Sequence, residues 1–246
     1  MNSDHIFDGI ASKFASNIYG TTKGKLRQII LCDVLEPHID SPMNIIEVGG
    51  GTGVMTAHLA SKGHRVVLTD ASADVLALAK ENLADFDNVT IRQQYLTAID
   101  DLGDYDLVVC HAVLEWLSEP YDALRFLFDN MRTGAKLSLS FFNKDAALFA
   151  NALYGNFDYI ARGMKVKNQV RLNPKQPLSA KEITPYCESL GFHIHSKTGI
   201  RCFHDYLKDK SQQTTHFDSV LELERKYNQT DPYMWLGKYF HLLLEK

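Results

Sequence analysis

The chain has 246 residues, enough for one domain or one domain with insertions, and its 45% hydrophobic and 23% charged residues are an ordinary globular composition. A net charge of −4 gives no overall reason to expect a nucleic-acid partner, and no apolar stretch is long enough to span a membrane. The first residues lack the charged and apolar regions of a signal peptide, and the cysteines lack metal-ligand spacing. We therefore expect a cytoplasmic protein with reduced thiols and no metal.

Two helices are predicted before the first strand. Apolar side chains recur at helical spacing over residues 3–17 and 25–35, and a polar turn over 17–24 separates the two segments. We expect residues 1–40 to form a helical lid over a ligand site.

The chain then alternates between short apolar runs and helical patterns. The apolar runs predict buried strands over 44–49, 65–70, 88–93, 105–111 and 136–142. Helices are predicted over 53–62, 72–84 and 120–131, with Ser72 as an N-cap of the second. Repeated strand–helix units predict a mostly parallel sheet in a single domain that spans 1–246.

Residues 144–178 interrupt this alternation and are too many for a plain connection, so we interpret them as an insertion. After it the sequence predicts a helix over 179–190, with Ser179 and Glu182 in a capping box. A strand over 192–203, a helix over 215–227 and a last strand over 238–244 follow.

The charge is distributed unevenly along the chain. No acidic residue occurs from Gly9 to Cys32, which holds four bases, or from Tyr159 to Lys181, which holds six. The remaining residues comprise 16 bases and 30 acids, a balance of −14. A basic run is usually a solvated face, but two acid-free runs in an acidic protein favour an anionic partner.

A glycine cluster follows the first predicted strand. Ile45 to Gly53 has the sequence IIEVGGGTG, and a helical pattern begins directly after it. Glycines allow a sharp turn close to a ligand, and the helix N-terminus favours an anionic group. A dinucleotide fingerprint requires a third glycine where this chain has Val54, which argues against a nicotinamide cofactor.

This loop resembles motif I of the class I S-adenosylmethionine-dependent methyltransferases. Asp70 ends the next strand 17 residues after Gly53, where its two oxygens can accept both ribose hydroxyl protons. The resemblance implies a Rossmann-like α/β fold with a seven-stranded sheet of order 3-2-1-4-5-7-6 and helices on both faces. The residues that we expect to bind S-adenosyl-L-methionine near these two strands are Glu47, Gly49, Gly50, Gly51, Asp70 and Ala71.

Ligands of open α/β sheets lie beyond the carboxyl ends of the strands, which brings further residues into the predicted site. His111 ends the fourth strand, and we expect it to contact the methionine part of the cofactor without acting as a base. Leu96 and Thr97 follow the third strand, and their position places them near the adenine.

Four short segments resemble one family much more specifically. They are residues 17–24 (NIYGTTKG), 111–116 (HAVLEW), 155–159 (GNFDY) and 203–207 (FHDYL). With them, nearly the whole chain resembles the tRNA 5-carboxymethoxyuridine methyltransferases, which esterify the carboxylate of a modified wobble uridine, position 34 of tRNA. Two departures are Glu47, where relatives often have Asp, and a basic loop over 165–171 that is sparser than the lysine runs of some relatives.

The resemblance implies a methyl transfer without a general base, because a carboxylate is already ionised at pH 7. A planar guanidinium suits a carboxylate, so we expect Arg201 to position the acceptor, together with His204, Tyr206 and Tyr19. Arg27 is expected to reach the carboxylate of the cofactor from the lid. The expected contacts to tRNA come from Lys23, Arg162, Lys165, Lys167 and Arg171.

Three other interpretations remain open at this point. A class I methyltransferase acting on a small-molecule carboxylate or amine shares the whole cofactor argument but explains neither basic run. A non-catalytic module that binds S-adenosylmethionine or RNA is the second, and a nicotinamide oxidoreductase, disfavoured by Val54, is the third.

Overall fold

The structure, a computed structural model, describes residues 20–164 and 176–246. Predictions for the first helix and for Tyr19, Lys165, Lys167 and Arg171 lie outside the described residues. Within the described ranges no helix has the length and apolar character needed to cross a bilayer. Cys32, Cys110, Cys187 and Cys202 are free thiols.

One seven-stranded sheet runs through the molecule in the order β3-β2-β1-β4-β5-β7-β6, as predicted. The first five strands are parallel, and β7 runs antiparallel to both of its neighbours, β5 and β6. The strands are β1 (Asn44–Val48), β2 (Arg65–Asp70), β3 (Val89–Gln93), β4 (Leu107–His111), β5 (Lys136–Phe142), β6 (His193–Ile200) and β7 (Tyr239–Glu245).

Helices cover both faces of the sheet, because the central strands are apolar on both sides. Ile46, Val108 and Leu137 face a core that includes side chains of α4 and α7. Ile45 and Val109 face a second core with α1, α2 and α9. The helices of the described residues are α1 (Thr22–Leu35), α2 (Val54–Ser61), α3 (Ala73–Asn82), α4 (Pro120–Asn130), α5 (Lys144–Leu153), α6 (Phe157–Ala161), α7 (Ala180–Leu190), α8 (Gln212–Thr215) and α9 (Phe217–Tyr227).

Helix N-termini show where local capping decides a boundary. The predicted start of α1 at Lys25 is wrong, because Thr21 caps the helix by accepting the Gly24 N–H at 3.2 Å, and α1 begins at Thr22. Ser72 caps α3 as predicted, accepting the Val75 N–H at 3.3 Å. Ser179 occupies the N-cap position of α7 but its side chain makes no capping bond, so the predicted capping box with Glu182 is wrong.

The predicted strand over 192–203 is too long at its C-terminal end. β6 ends at Ile200 because Arg201 has a φ of +64°, which no strand residue adopts. The next three N–H groups, of residues 202–204, turn towards α9 and donate to the Glu224 carboxylate at 2.7 to 3.0 Å. This segment, residues 201–206, is called the 201–206 loop below.

Candidate active site

A cavity of about 520 Å³ lies beyond the carboxyl ends of the parallel strands, the usual ligand position in an open α/β sheet. Its wall combines the glycine loop after β1, the ends of β2 and β4, the segment after β3 and the first residue of β7. The predicted cofactor residues on this wall are Arg27, Gly49, Gly51, Asp70, Ala71, Leu96, Thr97 and His111.

The glycine loop approaches the cavity through backbone conformations that favour glycine. Gly49 and Gly51 have φ values of +67° and +58°, and a Cβ added to Gly49 would overlap the side chain of Val113. Gly53, at φ +81°, is the N-cap residue of α2, and its carbonyl accepts the Ala57 N–H at 2.8 Å. Gly51, two residues before this N-cap, lines the cavity, so α2 begins directly after the cavity wall in the chain.

Asp70 stands at the end of β2 with its carboxylate fixed on two sides. One oxygen accepts the Gly51 N–H at 3.1 Å and the other accepts the Ser72 N–H at 2.9 Å. A carboxylate oxygen can accept more than one hydrogen bond, so these contacts orient the group without exhausting its acceptor capacity. The arrangement fits a carboxylate that receives ribose hydroxyls.

Two of the predicted cofactor residues lie behind the wall instead of on it. The Glu47 carboxyl is buried and accepts the Thr56 hydroxyl, so it ties β1 to α2. Burial raises the pKa of Glu47 to about 7. A Cβ on Gly50 would lie 2.8 Å from Leu68, so this glycine allows the loop to pack on β2. Both residues support the loop but do not face the cavity.

Ala71, Leu96 and Thr97 form a continuous part of the wall, with Tyr95 beside them. Leu96 opens a short 3-10 helix, Leu96–Ala98, and is buried on its other side in the core. This mostly apolar surface suits the flat adenine ring that the sequence places there.

His111 and Arg27 line the cavity from opposite elements, β4 and α1. The His111 Nε2 lies 2.7 Å from the Ser138 hydroxyl, and burial lowers the pKa of His111 well below its usual value. The Arg27 guanidinium carbon is 5.4 Å from the centre of the Tyr239 ring, a cation–π distance. His111 is thus a neutral polar contact and Arg27 a cationic one.

Tyr239 is a cavity residue that sequence reasoning missed. It is the first residue of β7, and its register partners are Phe142 and Ile200, at the carboxyl ends of β5 and β6. Because β7 is antiparallel, its first residue reaches the same edge of the sheet as the ends of the parallel strands. The strand order that the resemblance implies already places the first residue of the last strand at this edge, so Tyr239 could have been predicted from it.

Arg201 follows the end of β6 and reaches the site through Tyr239. Its guanidinium carbon also lies 5.4 Å from the centre of the Tyr239 ring, so this tyrosine contacts two arginines. The Nε of Arg201 is 2.8 Å from an oxygen of Asp205, and the pair is largely buried. The predicted acceptor-positioning arginine therefore lies beside the cavity, already in contact with one carboxylate.

The structure does not bring His204 and Tyr206 to the cavity wall. The His204 ring is fully buried, its Nε2 lies 3.1 Å from the Thr22 hydroxyl, and burial lowers its pKa to about 4. The Tyr206 hydroxyl donates to the Leu236 carbonyl at 2.8 Å. These positions argue against direct contact of His204 and Tyr206 with the acceptor carboxylate. The two hydrogen bonds instead connect the 201–206 loop to α1 and to the segment before β7.

Glu115, in the HAVLEW segment, directly precedes the cavity residue Trp116 but does not line the cavity itself. Its side chain is fully buried, and neither carboxyl oxygen has a hydrogen-bond partner among the residues that the structure describes. Burial is the main cause that raises the pKa of Glu115 to about 7.

The insertion exposes large apolar side chains at the end of α5 and the start of α6. Leu153, Tyr154 and Phe157 are 59%, 63% and 68% exposed, and Lys210 lies over the Tyr154 ring at 5.6 Å. We call Tyr154 and Phe157 the aromatic face. Arg162 follows α6 and is exposed, and Lys23 in the first turn of α1 is half exposed and 3.9 Å from Asp205.

The known proteins that this chain is similar to are methyltransferases, as expected from this site. A family model described as a methyltransferase domain matches residues 46–137. The chain is 39% identical, over 253 aligned positions, to the tRNA 5-carboxymethoxyuridine methyltransferase of Escherichia coli (strain K12), covering 99% of this chain and 97% of that protein. It is 31% identical to a ubiquinone biosynthesis O-methyltransferase of Xanthomonas axonopodis pv. citri (strain 306), covering 63% of this chain and 65% of that protein.

Among solved structures, magnesium protoporphyrin IX methyltransferase from Synechocystis PCC 6803, with bound SAH, has a TM-score of 0.60 at 20% identity. This match covers 79% of the chain and 89% of that structure, and it shows the fold. The likeness to the Escherichia coli protein goes further, since it includes the insertion and the 201–206 loop as well as the glycine loop. The chain therefore belongs to the tRNA 5-carboxymethoxyuridine methyltransferase family, and its cofactor is S-adenosyl-L-methionine.

Proposed function

We propose that this protein transfers the methyl group of S-adenosyl-L-methionine to the carboxylate of 5-carboxymethoxyuridine at the wobble position, position 34, of tRNA, and so forms the methyl ester. The match to the Escherichia coli enzyme over 99% of the chain carries this proposal. The cationic surroundings of Tyr239, beside the cofactor cavity, fit an anionic acceptor. A cytoplasmic location, where the cysteines remain reduced, is part of the same proposal.

The reaction is a displacement at the sulfonium methyl, which the bound cofactor supplies. The acceptor carboxylate is ionised at neutral pH, so the protein contributes alignment and exclusion of water, and no general base. Arg201 is proposed to hold the acceptor. Its contact with Asp205 uses Nε, and a guanidinium has two further nitrogens that can bind a second carboxylate.

Asp205 then has a role of its own in the proposal. It keeps the Arg201 side chain beside Tyr239, and it also takes part of the positive charge away from the acceptor. An acceptor carboxylate gripped too tightly in an ion pair would be a poorer nucleophile. A shared arginine orients the acceptor and leaves it reactive.

The aromatic face is proposed to receive unpaired bases of the anticodon loop. Proteins bind single-stranded RNA by stacking bases on exposed aromatic rings beside cations, which is the combination at Tyr154, Phe157 and Lys210. The acid-free run from Tyr159 to Lys181 begins directly after Phe157 and Asp158 in the sequence. The base to be modified must leave the stack to reach the methyl group, which suits a loop substrate.

The direct test is to incubate the protein with methyl-labelled S-adenosylmethionine and tRNA containing 5-carboxymethoxyuridine, followed by nucleoside analysis. We expect the label in one nucleoside, and we expect mild base to release it, because it is an ester. Label in a base-stable nucleoside, or transfer to a free carboxylic acid with none to tRNA, would contradict the proposal.

Salt dependence tests the RNA contacts separately from the chemistry. If Lys165, Lys167 and Arg171 contact phosphates, log Kd for tRNA should change with log salt concentration by about 0.7 to 0.9 per contact. Replacing all three with alanine should lower the slope by about 2 to 3 while the Kd for cofactor stays the same. An unchanged slope would mean that this loop is only a solvated face.

A further inference from the structure

Three hydrogen-bonded polar side chains connect the cofactor cavity to the interior of the sheet. His111 of β4 lies with Nε2 2.7 Å from the Ser138 hydroxyl of β5, and the same hydroxyl lies 2.8 Å from Nε2 of His241 in β7. Ser138 and His241 are fully buried, and His111 lines the cavity. We call this series of hydrogen bonds the His–Ser–His chain. It crosses three adjacent strands, and the proposed methyl transfer uses neither Ser138 nor His241.

Only two arrangements of these hydrogen bonds give the serine proton an acceptor. Each neutral imidazole carries one N–H, and the serine hydroxyl donates once. Either His241 donates to Ser138 and Ser138 to His111, or both bonds run in the reverse direction. The first leaves a proton on His111 Nδ1, and the second leaves His111 Nδ1 as an acceptor. Donation by both imidazoles to the two lone pairs of Ser138 would leave the buried serine proton without an acceptor among the described residues, so it is excluded.

His241, at the buried end of the His–Ser–His chain, decides between the two directions. His241 Nδ1 is buried and has no hydrogen-bond partner among the residues that the structure describes. A buried N–H without a partner is rarer and more costly than a buried acceptor without one. His241 therefore carries its proton on Nε2 and donates it to Ser138, and the bonds run from His241 towards His111.

Both imidazoles remain neutral over the physiological range. Burial lowers the pKa of His241 to about 3 and lowers that of His111 well below its usual value. His111 is also close enough to Arg27 for the guanidinium charge to oppose its protonation. A neutral chain with a fixed direction presents the same group to the cavity at every pH at which the protein works.

We propose that Ser138 and His241 are positioning residues that hold His111 as an Nδ1–H donor aimed at the carboxylate of the cofactor. A neutral N–H matches a carboxylate and does not match the ammonium or sulfonium group. Arg27 lines the same cavity, so the two side chains provide complementary donors. The inference concerns the cofactor alone and is independent of the acceptor that the protein methylates.

The tautomer is directly measurable in the cofactor-free protein. Long-range ¹H–¹⁵N correlation spectra distinguish the two neutral forms of histidine, and a His111→Gln spectrum assigns the signals. We expect the Nδ1–H form for His111 and the Nε2–H form for His241. An Nε2–H form of His111 would reverse the direction of the chain and overturn the proposal.

Binding of S-adenosylhomocysteine, measured by calorimetry, tests the consequence. Ser138→Ala should weaken it about five- to tenfold, the effect of about one neutral hydrogen bond, and should leave the affinity for 5′-methylthioadenosine unchanged, since that ligand has no carboxylate. His241→Gln keeps a donor near the Nε2 position and should retain most of the affinity, whereas His241→Leu should match Ser138→Ala.

Ser140 provides a matched control. It lies two residues along the same strand and is equally buried, and its hydroxyl has no partner among the described residues. Ser140→Ala should leave both affinities unchanged. If it weakens S-adenosylhomocysteine as much as Ser138→Ala does, or if Ser138→Ala weakens both ligands alike, the effect is general packing and the proposal is wrong.

Discussion

The two sides of the cavity are built in different ways. On the cofactor side the wall is made by the glycine loop and the end of β2, where the Asp70 carboxylate accepts the Gly51 N–H at 3.1 Å. On the acceptor side the contact comes from the long side chain of Arg201, which reaches Tyr239, the tyrosine that Arg27 of the cofactor side also contacts. These three residues come from separate elements. The first side leaves a compact pattern in the sequence, and the second depends on residues far apart in the chain.

The sharpest way to break the cofactor side is Gly49→Ala. The alanine combines an unfavourable φ with an overlap against Val113, so we expect cofactor affinity to fall about a hundredfold. Gly134→Ala is the control, because Gly134 has a φ of +80° but open space around its Cβ. It should lower stability by about 1 to 2 kcal/mol and leave cofactor binding intact. Equal cofactor Kd values for the two variants would contradict this account.

Arg201→Ala tests the acceptor side. We expect turnover on tRNA to fall by about a hundredfold, because the acceptor loses its orientation, while the Kd for cofactor and the Kd for tRNA change little. Arg201→Lys should restore activity only in part, since an ammonium lacks the planar fork.

The Arg201→Ala variant also leaves Asp205 without its closest cation, which needs a control. Lys23 is 3.9 Å from the same carboxyl and about half exposed, so it compensates poorly. The double variant Arg201→Ala, Asp205→Asn removes the stranded charge. If the double variant regains normal turnover, the arginine is structural and does not position the acceptor.

A smaller effect is expected on the aromatic face. Tyr154→Ala and Phe157→Ala should each weaken tRNA binding about tenfold, because stacking contributes about 1 to 3 kcal/mol per base. Leu153→Ala is matched in exposure and directly precedes Tyr154 at the end of α5, but leucine cannot stack, so it should have little effect. Equal losses for the three variants, measured by filter binding, would indicate a hydrophobic contact instead of base stacking.

The same contrast explains what the sequence could predict. The bounds of β2 were predicted to the residue, because an apolar run is a local signal. The order of the strands in the sheet was predicted from the family resemblance. Glu47 was misplaced because the strand pattern does not say that its carboxyl meets Thr56 of the next helix.

Residues defined by tertiary neighbours were the hardest to foresee. Tyr239 reaches the cavity only because β7 is antiparallel, and Ser138 meets two histidines that lie 27 and 103 positions away in the sequence. His204 looked like a site residue by its place in the FHDYL segment, but its ring is occupied with Thr22. Motifs therefore located the site, and packing decided which of their side chains face it.

The smallest expected effect is that of pH on the reaction rate. The single-turnover rate on tRNA should change less than about twofold from pH 6 to 8, because the acceptor stays ionised and the pKa values of His111 and His204 are lowered.

The stability of the fold should depend on pH more strongly, since burial raises the pKa of Glu47 and of Glu115 to about 7. Between about pH 5 and 7 the folded protein keeps these two protons and the unfolded chain has lost them, so the two carboxyls lower stability as pH rises. The buried histidines, whose pKa values are lowered, contribute with the opposite sign, because the unfolded chain binds their protons first. The difference between variant and wild type isolates the carboxyl contribution. In urea unfolding, the stability of Glu115→Gln relative to wild type should rise from pH 5 to 7, whereas that of Glu222→Gln, at an exposed position, should not change with pH. A rate that rises with a midpoint near 7, and loses that midpoint in Glu115→Gln, would show that Glu115 takes part in the reaction and would overturn a mechanism without a general base.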